Sequence, residues 1–382
     1  MKVVIVGAGI IGLAVAEELA HRRAEVTVLE ANDEAGQESS FAAAGILSPQ
    51  GEANGPSPFL ELLLAGDRFI QEAVERLQSR TGLDLDYRRD GMLGLAFSEE
   101  EQAQLDRNMD WQERAGIVVE KWTAAQVLKR EPAVDGPVKG ALFWPGNAQI
   151  DPAQMLKAYR LLLERQGGVV RVQAPVRRLR MKGNQVTGVE VGSEAVDADW
   201  VVNCAGSWAS WDEAIPFPIP MIPVRGQMLR FSVDSSWFRR VIHSSGAYLV
   251  QRAGGNLIAG TTLEHVGFDR RVTPQGQQAI HRGVSWICSR LASMEPEASW
   301  AGLRPDTEDH LPLLGRTPVQ GLLLAAGHYR NGILLAPITA RIIADLVMGC
   351  QPPVDPAPFE VSRFLSKEGK ENDSSRSSDT RC

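Results

Sequence analysis

Gly7-Ala8-Gly9-Ile10-Ile11-Gly12 is a glycine fingerprint set between a β-branched run, Val3 to Val6, and an apolar stretch that reads as a helix from Leu13 to Arg23. In that setting each glycine has a task. Gly7 permits the tight turn, Gly9 lets the backbone approach a pyrophosphate and Gly12 lets helix and strand pack closely, while the helix N-terminus offers amides and a positive dipole to phosphate. The next strand, Val26 to Leu29, ends at Glu30, a carboxylate placed to accept hydrogen bonds from an adenosine ribose. An acid there argues against a 2′-phosphate. FAD and NAD share this adenosine end, so the motif does not choose between them. No second fingerprint follows in the chain, which implies a single dinucleotide.

The elements that position this motif follow from pattern. Pro58 to Arg80 carries apolar residues at helical spacing. Gly91 to Phe97 reads as a strand, and Ser98 with Glu101 forms the capping box of another helix. Asp151-Pro152 opens a helix to Arg165, with cap and then proline at the first turn. Val169–Val172, Val176–Met181 and Gln185–Val191 read as strands, and Trp200–Cys204 is a buried strand broken by Ala205-Gly206. From Pro216 to Trp300 the texture changes to alternating strands, Gln227–Val233, Ala247–Arg252 and Asn256–Gly260, followed by a helix from Thr273 to Leu291. That alternation predicts an antiparallel sheet wet on one face. Leu322–Ala326 returns to a buried strand, followed by an apolar helix with Pro337 near its first turn.

The chain has 382 residues, 44% hydrophobic and 23% charged, which suits two closely joined globular domains. With 40 basic against 47 acidic residues the net charge is −7, so nothing points to a nucleic-acid or anionic-lipid surface. Cys204, Cys288, Cys350 and Cys382 lie far apart, signalling neither a metal site nor a disulfide framework, and a reducing cytosol fits this usage. Met1-Lys2 and the apolar run to Ala16 have the outline of a secretory signal, but the three glycines interrupt it and the segment is read as strand and helix. No other run approaches the ~20 apolar residues needed to span a bilayer.

Four blocks carry a resemblance that extends from Met1 to about Gly349: Ser39-Ser40-Phe41-Ala42-Ala43-Ala44-Gly45, Gly91-Met92-Leu93, Trp300-Ala301-Gly302-Leu303-Arg304-Pro305 and Ala326-Gly327-His328-Tyr329-Arg330-Asn331-Gly332-Ile333-Leu334-Leu335-Ala336-Pro337. They resemble the D-amino acid oxidase superfamily, and within it most closely the glycine oxidase family of thiamine biosynthesis. The resemblance implies an α/β plus antiparallel-β protein, in which an FAD-binding Rossmann-type domain carries an inserted substrate domain built on a large mixed or antiparallel sheet. The expected boundaries are residues 1–85, 146–215 and 300–365 for the FAD domain and 86–145 and 216–299 for the substrate domain. Residues 366–382, which lack aliphatic and aromatic side chains, are expected to be disordered.

The resemblance further implies noncovalent FAD. Gly7, Gly9, Gly12, Ile10, Ile11, Glu30 and Ala31 would hold its ADP half, with Val176 on the adenine side. Ser39, Ser40, Ala44, Gly45 and Ile46 would lie along the pyrophosphate and ring, and Ala205 and Gly206 against the same ligand. The block His328, Tyr329, Arg330, Asn331, Gly332, Ile333 and Leu334 would run past the isoalloxazine, with the following helix start aimed at the flavin edge where negative charge collects. Arg304 would grip the substrate carboxylate as a bidentate fork; a structural pairing with an acid such as Asp306 is its alternative. Tyr248 would add a phenol hydroxyl, or be a half-buried strand tyrosine, and Arg330 would face both substrate and flavin. His310 and His328 are read as structural or flavin-edge residues. Three positions depart from the family pattern: Gly246 stands where a histidine may occur, Leu263 where a methionine may occur, and Gln251 in place of a proline.

The activity implied is oxidative deamination of glycine and small amines such as sarcosine or small D-amino acids. Hydride transfer to flavin and reoxidation by oxygen would give imino acid, ammonia and hydrogen peroxide. A homotetramer and handoff to a thiazole synthase are also implied. A D-amino acid dehydrogenase, a sarcosine-type oxidase and a non-catalytic flavin-binding subunit remain the competing readings.

Overall fold

The computed structural model describes residues 1–212, 214–234 and 237–365; the tail expected to be disordered lies outside the described residues. The chain opens with β1 (Lys2–Val6), α1 (Ile10–His21) and β2 (Glu25–Leu29), then the short α2 (Ser39–Ala42) and β3 (Ile46–Leu47) before the long α3 (Pro58–Thr81). Next come β4 (Met92–Ala96), α4 (Glu99–Arg114), β5 (Glu120–Thr123), α5 (Ala124–Arg130), β6 (Gly140–Trp144) and β7 (Ala148–Gln149). α6 (Pro152–Arg165) leads into β8 (Val169–Arg171), the meander β9 (Val176–Lys182), β10 (Gln185–Val191) and β11 (Glu194–Asp197), and then β12 (Trp200–Asn203). β13 (Ile222–Ser232), β14 (Val241–His243), β15 (Tyr248–Gln251) and β16 (Asn256–Gly260) precede α7 (Pro274–Ile287). β17 (Ala298–Asp306), β18 (Leu313–Arg316), β19 (Leu322–Ala326) and α8 (Gly332–Met348) complete the fold.

The helix starts are chemically marked. Ser57 accepts a hydrogen bond from the Leu60 amide with Pro58 at the first position, Ser98 and Glu101 form the expected capping box of α4, and Asp151 caps α6. Gly82 ends α3 at φ 74°, a left-handed position that favours glycine.

Six strands in the order β18-β19-β12-β1-β2-β8 form the first sheet, parallel except for the β18–β19 pair. Its strands are apolar on both faces because both are covered. Val3, Ile5, Val26 and Val28 pack with residues of α1, α3, α6 and α8, whereas Val4, Val6 and Leu29 pack with Leu179, Val186 and Val189 of the meander.

Eight strands in the order β17-β13-β16-β15-β14-β4-β6-β5 form the second sheet, antiparallel except for β14 against β4. Leu93, Phe143, Leu229, Phe231, Leu249 and Leu257 face a core shared with Ile280 and Val284 of α7. The opposite face was expected to meet water. It faces a cavity instead, and its polar residues serve that cavity rather than bulk solvent. β17 also differs from expectation. Residues 300–306, assigned by sequence to the FAD domain, pair with β13 along the full register from Ile222↔Asp306 to Arg230↔Ala298. Strand pairing between segments so distant in sequence leaves no local signature.

A buried ion pair fastens the helical layer. Glu17 of α1 is fully buried and accepts from Arg76 of α3 at 2.5 and 2.6 Å and from Gln166, which follows α6, at 3.0 Å. Removing one partner of a buried pair strands a charge. Arg76→Leu is therefore expected to lower the unfolding free energy by roughly 3 kcal/mol in urea titrations, while the double variant Glu17→Leu with Arg76→Leu recovers most of the loss; an unaffected single variant would refute this account.

Candidate functional site

A cavity of about 1060 Å³ runs from the carboxyl ends of β1, β2 and β12 to the open face of the second sheet. At its first end the glycine turn is built as its spacing predicts. Gly7 has φ 99°, and a Cβ there would sit 2.7 Å from the Cys204 carbonyl oxygen. A Cβ on Gly12 would overlap the Gly7 carbonyl oxygen, so this glycine serves helix–strand packing and does not line the cavity. Gly9 is different: a Cβ there would meet only the Ser40 hydroxyl, at 3.3 Å, leaving backbone open to the cavity. The Ile10 amide donates to the Ser40 hydroxyl at 2.9 Å, which makes Ser40 a side-chain partner for the start of α1. Glu30 is buried and accepts from the Ala8 amide at 2.8 Å and the Asn32 amide at 2.9 Å.

Ile10, Ile11, Ala31, Ser39, Ala44, Gly45, Ile46, Val176, Ala205 and Gly206 line the same cavity, as do His328, Tyr329, Arg330, Asn331, Gly332 and Ile333. Leu334 does not. It is buried in the first core, since the third residue of α8 points back toward α3 and packs beside Gly66. Asn331 stands at the N-cap of α8, so this helix start faces the cavity. Pro337 lacks an amide, which leaves the Ile333 carbonyl without a helical donor.

At the other end Arg304 and Tyr248 project from the open face of the second sheet. The Arg304 guanidinium donates to the Thr261 hydroxyl at 2.6 Å and to the Thr262 carbonyl at 3.2 Å. It makes no ion pair with a carboxylate among the described residues. Asp306, the alternative partner, instead contacts His310 Nδ1 at 2.9 Å. Two glycines make the room: a Cβ on Gly226 would collide with the Arg304 guanidinium, and one on Gly260 would lie 2.5 Å from the Tyr248 hydroxyl. The Tyr248 hydroxyl lies 3.2 Å from Met228 Sδ, and burial raises its pKa against the opposing pull of Arg304.

Several site residues escaped the sequence reading. Glu52 accepts from Arg330 at 2.5 Å, and burial raises its pKa despite the attraction of Arg330 and Arg304. His243 pairs with Tyr248 across β14 and β15, which places both side chains on the cavity face. It is exposed on that face, and the surrounding protein, aided by Arg330, pushes its pKa down to about 4. The two-residue alternation on either side of Tyr248 was the available signal for His243; Glu52 lies in a loop with none.

The profile described as "FAD dependent oxidoreductase" matches residues 2–346. The chain belongs to this family. It is 31% identical to a glycine oxidase of Pseudomonas aeruginosa over 94% of this chain and 98% of that protein. It is 35% identical to the "Bifunctional protein ThiO/ThiG" of Synechocystis sp. over 95% of this chain and 54% of that longer protein. The crystal structure of glycine oxidase from Geobacillus kaustophilus superposes with a TM-score of 0.89 at 32% identity, covering 94% of this chain and 98% of that one.

FAD, the cofactor of this oxidoreductase family, fits the residues present. The bare Gly9 backbone and the start of α1 suit its pyrophosphate, and Glu30, with a lone pair beyond the three hydrogen bonds it accepts from Ala8 and Asn32, suits the ribose. The α8 N-terminus adds a positive dipole end at the ring side. Among the described residues no group of three or more His, Cys, Asp and Glu could hold a metal, and no helix is long and apolar enough to cross a membrane.

His328 is buried beneath α8, its Nε2 3.0 Å from the Thr339 hydroxyl, and burial pushes its pKa from 6.5 down to about 3. The unfolded chain protonates first, so the folded state loses stability as pH falls from 6.5 toward about 3. His328→Gln should flatten this acid limb in urea midpoints measured on the yellow holoenzyme; a limb of unchanged steepness would assign the loss to other groups.

Proposed function

We propose that this FAD-dependent amino acid oxidase converts glycine, water and oxygen into glyoxylate, ammonia and hydrogen peroxide, with sarcosine and small D-amino acids as further substrates. The observation that carries the reading is Arg304: a guanidinium fixed by Thr261 and Thr262, open to the cavity, and without a carboxylate partner among the described residues. That is a built receptor for a substrate carboxylate. Tyr248 offers its hydroxyl to the same group, and Arg330, held by Glu52, adds positive potential while Glu52 keeps the site from accumulating unbalanced charge.

Bound FAD would supply the acceptor for the α-hydrogen, taken as a hydride, and the route for its electrons to oxygen. The chain supplies position and field. Arg304 fixes the carboxylate and hence Cα, Tyr248 restricts its rotation, and a neutral His243 adds no positive charge that would disfavour the approach of an amine. The imino acid then hydrolyses in water. The fusion of ThiO to ThiG in the Synechocystis relative supports a link to thiazole synthesis, in which the imine is used before it hydrolyses. Among the described cysteines Cys204 lies at the dinucleotide end with its thiol pKa raised by burial, Cys288 is buried in the second core and Cys350 lies beyond α8. None is placed to tether the ring, which supports noncovalent FAD.

The test is anaerobic mixing of the yellow protein with glycine, sarcosine, D-alanine and D-proline, followed by air. Glycine should bleach the flavin band and air restore it. Bleaching without recovery would redirect the reading to a dehydrogenase, and no bleaching by any amine would remove it. Arg304→Ala should raise KM for glycine about a hundredfold while flavin is retained; loss of FAD instead would assign Arg304 a structural role.

A further inference from the structure

The cavity continues well past the carboxylate site. Across the second sheet, Tyr248 pairs with His243, and His243 with Gly94, so the open face extends one strand beyond Tyr248, roughly 5 Å at the usual strand spacing, to where the Trp144 ring stands over Gly94. Both His243 and Gly94 line the cavity there, and α4 closes it with Glu101, Leu105 and Asn108. Among the described residues the Trp144 ring bounds this stretch, since a Cβ on Gly94 would lie 2.8 Å from it. His243 is exposed there and has no hydrogen-bond partner among the described residues. Glycine, held at Arg304, is too short to reach it.

The charge along this stretch is ordered. Arg304 and Arg330 stand at the near end and the Glu101 carboxylate at the far end. Glu101 is fixed: one oxygen accepts from the Phe97 and Ser98 amides at 2.6 and 3.2 Å, and the other from the Ser245 hydroxyl, which ties α4 to the turn between β14 and β15. A carboxylate oxygen retains acceptor capacity beyond one hydrogen bond. We propose that the space between the β14–β15 turn and α4 is a subsite for a substrate side arm, and that it takes amino acids whose arm, on Cα or on nitrogen, ends in a cationic donor.

This rests on the reading of Arg304 as the carboxylate receptor, and the experiment separates the two. The holoenzyme is mixed anaerobically with glycine, D-ornithine, D-lysine and N-aminopropylglycine, and with N-butylglycine and N-carboxypropylglycine as apolar and anionic counterparts of similar length. Flavin reduction and competition against glycine are followed. Cationic arms should reduce the flavin with kcat/KM roughly tenfold above the apolar and anionic arms. In Glu101→Gln, which keeps the capping box, that preference over the apolar arm should disappear; in Asn108→Trp, kcat/KM for the cationic arms relative to glycine should fall by a similar factor. Turnover of glycine with no reduction or competition by cationic arms would overturn the subsite and leave the glycine reading intact. Equal use of all three arms, or an unaltered preference in Glu101→Gln, would also overturn it. Reduction by cationic arms but not by glycine would keep the subsite and replace glycine as the substrate, and neither reduction nor any flavin spectral change with any compound would refute both.

Discussion

A pleated strand sends successive side chains to opposite faces, and this period of two governs the second sheet. Leu93, Phe143, Leu229, Leu249 and Leu257 must be buried against α7, so their neighbours in sequence have no choice but to face the cavity. Tyr248, His243, Met228, Arg304, Gly94, Gly226 and Gly260 share one surface for that reason. Shifting any of these strands by one residue would bury arginine and expose leucine. The apolar core thus fixes the register that assembles the site.

The same surface is shaped by absence as much as by side chains. Where Arg304 and Tyr248 lean across neighbouring strands, those strands carry Gly226 and Gly260. At the dinucleotide end Gly7 and Gly12 satisfy contacts within the protein, whereas Gly9 leaves backbone bare for a ligand. The electrostatics follow from enclosure. Two arginines lie at one end of the cavity, Glu52 offsets one of them, and the surrounding protein together with Arg330 lowers the pKa of His243.

Much of this was legible in the chain. The βαβ unit, the capping box at Ser98 and Glu101, the proline-started helices and the block from Ala326 to Asn331 before α8 are local signals, and local signals survive in sequence. What did not survive depends on pairing at a distance. β17 reads as a continuation of the FAD domain until its register with β13 is known, and Gly226 has no meaning until Arg304 lies beside it. Leu334 belongs to a block that runs along the cavity, but helical rotation carries it into the core. Alternation in the second sheet marks it as two-sided, yet a ligand cavity and bulk water leave the same polar imprint on a strand.

The Leu303 carbonyl, one residue before Arg304, accepts the hydroxyls of both Ser39 and Ser207 at 3.1 Å for the latter. Ser39 and Ser207 belong to segments that line the dinucleotide end, so a single peptide of β17 joins the two halves of the cavity. Thermodynamic reciprocity gives this joint a meaning beyond support. To the extent that cofactor orders the serine segments and thereby Arg304, a carboxylate on Arg304 must tighten the hold on cofactor by the same factor. The enzyme would then grip its flavin most firmly while substrate is present, and let it exchange most readily when idle.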